Sequence, residues 1–482
     1  MRANLVAAIA FAAFSALFTT NQASGVALNP RGLGQVLIFP YYTVNHSQDT
    51  LLSIGNAGDT GKAVHVRFRE AYNARPVLEF DVFLSPHDVW TAAITQTSDD
   101  GVALIRTSDH SCTNPPILSI GQRFLDSGYA GTQADSGPQT PARTREGFIE
   151  IIGGGDITPG NPLDATITHT QTGEPGGGVP TCDPVVLRTN APTIAPSPSL
   201  FGSVAIVNVG QGTFFGYTPD ALTGFTDAAL PTTLTGGPTL DDANTSIAAP
   251  LTRASVFVGD RPIDVDYAFP IDAVSAVFMA DAIYNEYFAD PSFGASTEWI
   301  VTLPTREFYS DPALAQDPVP PFGEIFSGGR ADTTVGGNVY DREEYIVSPI
   351  AGCVICPPVA PVPSLPYAVN DIPFANGGGT SVVFGSNVIP FELSLAGSTT
   401  GNAVMSLVDT NGAQQLAAGT DADGGSLALL GLPVTGFMAY NVINTNAQPG
   451  LLANYSGVFA DRSTASCLGS STSCTAIITS PH

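Results

Sequence analysis

Period-two alternation is the feature that most restricts this chain. Val64, Val66 and Phe68 alternate with His65, Arg67 and Arg69, and Leu78, Phe80, Val82 and Leu84 alternate with Glu79 and Asp81. Successive side chains of a strand point to opposite faces, so the pattern fits an antiparallel sheet with one packed and one solvated face. Upstream, Val36 to Tyr42 (VLIFPYY) is a nearly continuous apolar run broken by Pro40, which suggests an edge strand or a bulge. Leu51 to Ile54 and Val89 to Ala92 continue the series, separated by turn clusters such as Gly55-Asn56-Ala57-Gly58-Asp59. Similar short segments recur through 148–152, 203–209, 213–217, 254–258, 297–303, 403–408 and 436–443. Only 272–290 carries a helical stripe (Ala273, Val274, Val277, Phe278, Ala282, Ile283), and its Val277-Phe278-Met279 also reads as a buried strand.

Composition points the same way. Among 482 residues there are 50 Gly and 39 Pro, and the charged residues comprise 31 Asp, 12 Glu, 16 Arg and a single lysine, Lys62. Scarce Lys and Glu with abundant turn formers disfavours helices. The expected fold is all-β: antiparallel β-sandwich-like domains, Pro/Gly-rich linkers and at most one or two short helices. Boundaries fall at compositional breaks, giving a signal peptide over 1–25 and an N-terminal β domain over 26–190. A middle β domain follows over 200–350, a C-terminal β domain over 366–465 and a cysteine-containing tail over 466–482. Pro192 to Ser199 and Cys356 to Pro366 read as linkers.

The net charge of −26 excludes a nucleic-acid binder, which needs a positive field, and disfavours docking on anionic lipid. Arg2 followed by the apolar run Leu5 to Phe18 and small residues between Ala23 and Ala27 is the pattern of a cleavable export signal. That run is short of the roughly 20 residues a membrane span needs, so the chain is expected not to span a membrane after signal removal. The expected location is the periplasm, the cell surface or the medium. Six cysteines (Cys112, Cys182, Cys353, Cys356, Cys467, Cys474) suit disulfides in such a compartment. Their pairing is open among fifteen connectivities, and proximity favours Cys112–Cys182, Cys353–Cys356 and Cys467–Cys474. Pro357 and Pro358 directly after Cys356 argue against the helix that a redox-active C-x-x-C needs.

The stretches GLGQVLIFPYYTVN (32–45), ARPVLEFDVFLSPHDVWTAAI (74–94), REGFIEII (145–152), MADAIYNEYFADPSFGASTEWIVTLPTREFY (279–309), YDREEY (340–345) and GLPVTGFMAYNVIN (431–444) resemble an uncharacterised family of exported bacterial β-rich proteins. SPHDVWTA and DREE are the most distinctive blocks. The resemblance implies export and an architecture running through most of the chain; it implies no activity, cofactor or catalytic residue.

Catalytic patterns are scarce. Neither a dinucleotide fingerprint nor a P-loop nor a G-x-S-x-G elbow is present. Glu79 and Asp81 share a strand face, roughly 7 Å apart, but read as a solvated face; Asp264 and Asp266 are similar. Glu343 and Glu344 would lie on opposite faces of a strand with Arg342 as an ion partner. His46, His65, His87 and His110 lack metal-ligand spacing. Asp409, Asn411, Asp421 and Asp423 are weak calcium candidates, since each pair offers oxygen ligands beside a turn glycine, though neither completes an EF-hand loop. No other cofactor is expected. The function expected is an exported, non-enzymatic surface component or binding module, with cell-surface or carbohydrate contact as its partner class. The alternative is a secreted polysaccharide hydrolase whose carboxylates come from distant segments, in a cleft lined by Trp or Tyr.

Overall fold

A computed structural model describes residues 25–169, 178–232, 236–244, 250–315, 319–350, 363–375, 379–408, 414–444 and 447–474. Within them the protein is an all-β assembly of antiparallel sheets. The first sandwich joins a seven-stranded and a six-stranded sheet. The alternating segments found in the sequence divide between the two. Val36–Thr43, Gly61–Glu70 and Pro76–Leu84 enter the seven-stranded sheet, while Asp49–Asn56 and Val89–Gln96 enter the six-stranded one. Between them lie Leu37, Phe39, Leu52, Ile54, Val66, Phe68, Phe80, Trp90, Ile149, Val204 and Phe215, all buried.

Val36–Thr43 is a central strand, paired with Glu146–Ile157 on one side and Asp220–Thr223 on the other. Its proline is accommodated by a bulge: Tyr42 pairs with Gly147 but Phe39 with Ile149, leaving Pro40 outside the ladder. The continuous apolar run has a simple cause. Leu37 and Phe39 face the first core, while Val36 and Ile38 face a second one.

That second core lies among three five-stranded sheets and includes Trp299, Val301, Ile372, Phe374, Met405 and Leu429. Their strands interleave. Ala282–Phe288 pairs with Thr400–Ser406 and Arg462–Thr464, and Ala295–Thr302 lies between Val369–Ala375 and Thr435–Val442. The expected division into a middle (200–350) and a C-terminal (366–465) domain therefore fails, because each sheet needs strands from both to be complete. Leu200–Asn208, Thr213–Tyr217 and Asp220–Thr223 likewise complete the first sandwich. In the tail, Cys467–Gly469 pairs with Ser426–Leu429.

Among the described residues the short α-helices, including Pro162–Ile167, Pro184–Thr189, Pro270–Ala276 and Glu307–Ser310, outnumber the one or two expected. The 272–290 stripe is helical only in Pro270–Ala276; the rest forms the strands Met279–Ala280 and Ala282–Phe288, whose buried Ile283, Asn285 and Tyr287 follow period two. The Pro192 to Ser199 linker is instead a strap on the seven-stranded sheet, where Ile194 bridges Asp156 and the Pro196 carbonyl accepts from Gln35.

Candidate functional site

The outer faces of the two sheets of the first sandwich have opposite fates. On the seven-stranded sheet, every residue of Gly61–Glu70 is buried, including Lys62, His65, Arg67, Arg69 and Glu70. The solvated face expected around Glu79 and Asp81 is therefore covered. The Gly237 and Pro238 carbonyls accept from Arg67, Glu307 meets Arg69, and Ser197 meets Lys62. Asp81 bonds His65 at 2.9 Å, and Glu79 pairs with Arg67. Burial would raise the Glu79 carboxyl, but hydrogen bonds from His65 and Arg67 hold it at about 2.

Buried charges persist only when paired and hydrogen-bonded, and this layer meets that condition. Glu150 bridges Arg67 (2.7 Å) and Arg69 (3.0 Å). Arg143, wholly inaccessible, is held by Glu70 and Asp135 at 2.6–2.9 Å with Tyr129 stacked 4.4 Å from its guanidinium carbon. The ammonium of Lys62 finds three acceptors, Asp156 at 2.5 Å and the carbonyl and hydroxyl of Ser197 at 2.8 and 2.9 Å. Three tetrahedral donors with three partners explain why lysine stands here in a chain that otherwise uses arginine.

The six-stranded sheet keeps its outer face open. Along Asp49–Asn56, Val89–Gln96, Ala103–Arg106, Gln122–Arg123, Leu200–Asn208 and Thr213–Tyr217 the ionisable side chains are Asp49, Arg106, Arg123 (paired with Asp99 and Asp100 at the sheet edge) and Tyr217. Cross-strand register places Ser203, Ser53 and Thr91 in one row, with Ala205, Leu51 and Ala93 in the next, continued by Arg106. These small side chains floor a groove of about 530 Å³, walled by Thr107, Ser108 and Ser119. Arg106 donates to Thr95 at 3.0 Å and has no carboxylate within ion-pair distance among the described residues. Phe201 lies across Gly55 so closely that a Cβ there would meet its ring at 2.2 Å, and Phe214 is exposed nearby on the same sheet. None of these residues was singled out from the sequence. The available signal was an alternating strand whose outward positions are nearly free of charge.

A second cavity, about 230 Å³, lies between the two halves of the molecule and is lined by Tyr217, Asp220, Thr435, Gly436 and Phe437. Asp461 lies beside Gly436 and accepts from Trp299 Nε1 at 2.8 Å and Asn285 Nδ2 at 2.5 Å. Burial lifts its carboxyl to about 8 against those two hydrogen bonds, with the Asp220 charge adding to the rise. Burial also raises Asp220, which accepts from Thr435.

The remaining sequence candidates are placed as follows. Cys112–Cys182 and Cys467–Cys474 are disulfides; Cys353 and Cys356 lie outside the described residues. Asp409 and Asn411 also lie outside them. Asp421 and Asp423 form a turn, their carboxylates accepting from Ser471 and from Thr472 and Gly425 respectively. Among the described residues no group of three or more His, Cys, Asp or Glu is arranged to hold a metal. Glu343 and Glu344 occupy an exposed turn, not a strand, with Arg342 pairing Glu343 at 2.9 Å. Asp266 pairs with Arg253 at 2.8 Å, and exposed His87 meets Asp59.

Fold and sites together define a disulfide-bonded, all-β protein of stacked antiparallel sheets. Its disulfides fit an oxidising, extracytoplasmic environment, and no helix among the described residues is long and apolar enough to cross a membrane. No protein-family model, curated protein or solved structure matches the chain.

Proposed function

We propose that this is an exported, non-enzymatic binding module that makes contact through the open face of its six-stranded sheet. The observation that carries the reading is Arg106: a cation with no carboxylate in ion-pair contact among the described residues, although Asp49 acts on it at longer range, set among hydroxyls in a groove on a chain of net charge −26. Hydroxyls of Ser53, Thr91 and Ser203 with one guanidinium suit an acidic, polyhydroxylated ligand, and Leu51 with the ring of Phe201 offers apolar surface to a sugar face. An acidic polysaccharide fits that chemistry. Binding of the mature protein to immobilised polygalacturonate, with neutral dextran as the control, tests it. Arg106→Ala should weaken polygalacturonate binding by about tenfold or more, the worth of one charge-assisted hydrogen bond. Equal binding by the variant would remove this reading.

A second reading, polysaccharide hydrolysis, draws support from the cavity lined by Asp220 and Tyr217, behind whose Gly436 the buried Asp461 accepts from the Trp299 indole. A carboxyl that holds its proton near neutral pH is what a general acid requires. Release of reducing sugar that is lost in Asp461→Asn would favour this reading over the first.

A further inference from the structure

Where the two halves of the molecule meet, three carboxyl groups are buried together. Glu298 and Asp371 lie on neighbouring strands of one sheet, Glu298 opposite Pro373 and Asp371 opposite Ile300, so both project from the same face. Glu146 approaches from the seven-stranded sheet. All three are inaccessible to solvent or nearly so. A segment running from Gly379 to Val388 threads between them. Glu298 accepts from the Ser381 hydroxyl (2.8 Å) and from the backbone N–H groups of Val382 (2.5 Å), Val383 (2.8 Å) and Phe384 (3.0 Å). Glu146 accepts from the Asn387 backbone (2.8 Å) and from Tyr41 (3.0 Å). One glutamate from each half thus holds the segment, and the Phe384 ring packs against Tyr41 and Phe215.

Asp371 is the unusual member. Both its oxygens are buried and meet no donor at full hydrogen-bond geometry, the Ser381 hydroxyl, already committed to Glu298, being the nearest one, and its carboxyl lies against Glu298. Glu298, surrounded by four donors, has the environment of a carboxylate. Two carboxyls in contact cannot both ionise in a buried site, so the proton belongs to Asp371, which can then donate to Glu298. The titratable groups facing Asp371 are Glu298, Glu146 and Tyr41. No Lys, Arg or His hydrogen-bonds to any of the three carboxyls among the described residues.

We propose that the Glu298–Asp371 pair is a proton-dependent latch: with one proton shared, the 379–388 segment is docked across the seam, and loss of that proton releases it. The direction follows from linkage. Burial first, then the Glu298 charge, raises Asp371 well above its ordinary value. The folded state therefore binds a proton that the unfolded state has shed above about pH 4, and the stability this proton confers is lost as pH rises toward the folded value.

The test uses the full mature chain. Urea unfolding of the wild type between pH 5 and 9 is compared with Asp371→Asn, whose amide can still donate to Glu298. One linked proton changes the unfolding constant by up to about tenfold per pH unit. The wild type should show that excess slope over the variant, and parallel profiles would overturn the latch. Hydrogen exchange at Val382, Val383 and Phe384 in the wild type gives an independent reading should the variant not fold. Protection of these amides, corrected for the intrinsic pH dependence of exchange, should fall with rising pH before that of the Val36–Thr43 strand. Simultaneous loss in both places would also overturn it.

Discussion

The two outer faces of the first sandwich invert the usual relation between polarity and exposure. The seven-stranded sheet turns His65, Arg67, Arg69 and Glu150 outward, and there they are sealed under the 237–238 segment and the helix carrying Glu307. The six-stranded sheet turns Ser53, Thr91, Ala93, Ala205 and Leu51 outward, and there they stay open. Charge on a strand face thus marks a second packed interface on one side of the sandwich, while near-neutrality marks the solvent side on the other. The lesson is energetic. An ionic layer can be buried when each guanidinium meets carboxylates of fixed geometry, and small hydroxyl and methyl groups need no cover.

The contrast can be broken most severely at Arg143. Arg143→Met leaves Glu70 and Asp135 buried without a cation, and denaturant unfolding should show a loss of about 3–5 kcal/mol. Recovery of much of that loss in Arg143→Met combined with Glu70→Gln and Asp135→Asn would establish that uncompensated charge, not lost volume, is responsible. Next in size is the Cys112–Cys182 disulfide, which ties Cys112 on the edge strand of the same sheet to Cys182, 70 residues on and just ahead of the Pro184–Thr189 helix. Replacing both cysteines by Ser should cost about 2–4 kcal/mol by the same measurement. On the open face, Thr91→Lys and Arg106→Ala should each change stability by no more than about 0.5 kcal/mol. A large loss there would mean that this face, too, is packed against something. Lastly, the sole lysine sharpens the contrast without altering stability. An amine-reactive reagent should modify the native mature chain at its α-amino group alone, with Lys62 labelled only after unfolding, as peptide mapping would show.

Much of the strand content was legible in the sequence. Val64 to Phe68 and Leu78 to Leu84 pair in the expected antiparallel ladder because period two is a local property of the chain. The Cys467–Cys474 pair, seven residues apart, agrees with proximity for the same local reason, whereas Cys112–Cys182 joins residues 70 apart. The groove was much less legible, because its floor comes from Ser53, Thr91 and Ser203, which are adjacent only through cross-strand register. Asp220 and Asp461, or Glu298 and Asp371, carry no mark in the sequence either. A carboxyl on a short strand looks the same whether water or another sheet will face it.

The sequence by itself determined an acidic, turn-rich, disulfide-bearing β-protein, since alternation is a local property and composition and cysteine content can be read without knowing the fold. Only the tertiary structure decided that the charged side of Gly61–Glu70 is interior, that Val36–Thr43 is central instead of peripheral, and that 252–302 and 369–464 weave into common sheets. The physical reason is that a strand fixes which side chains share a face, whereas the cover laid over that face comes from segments more than a hundred residues away.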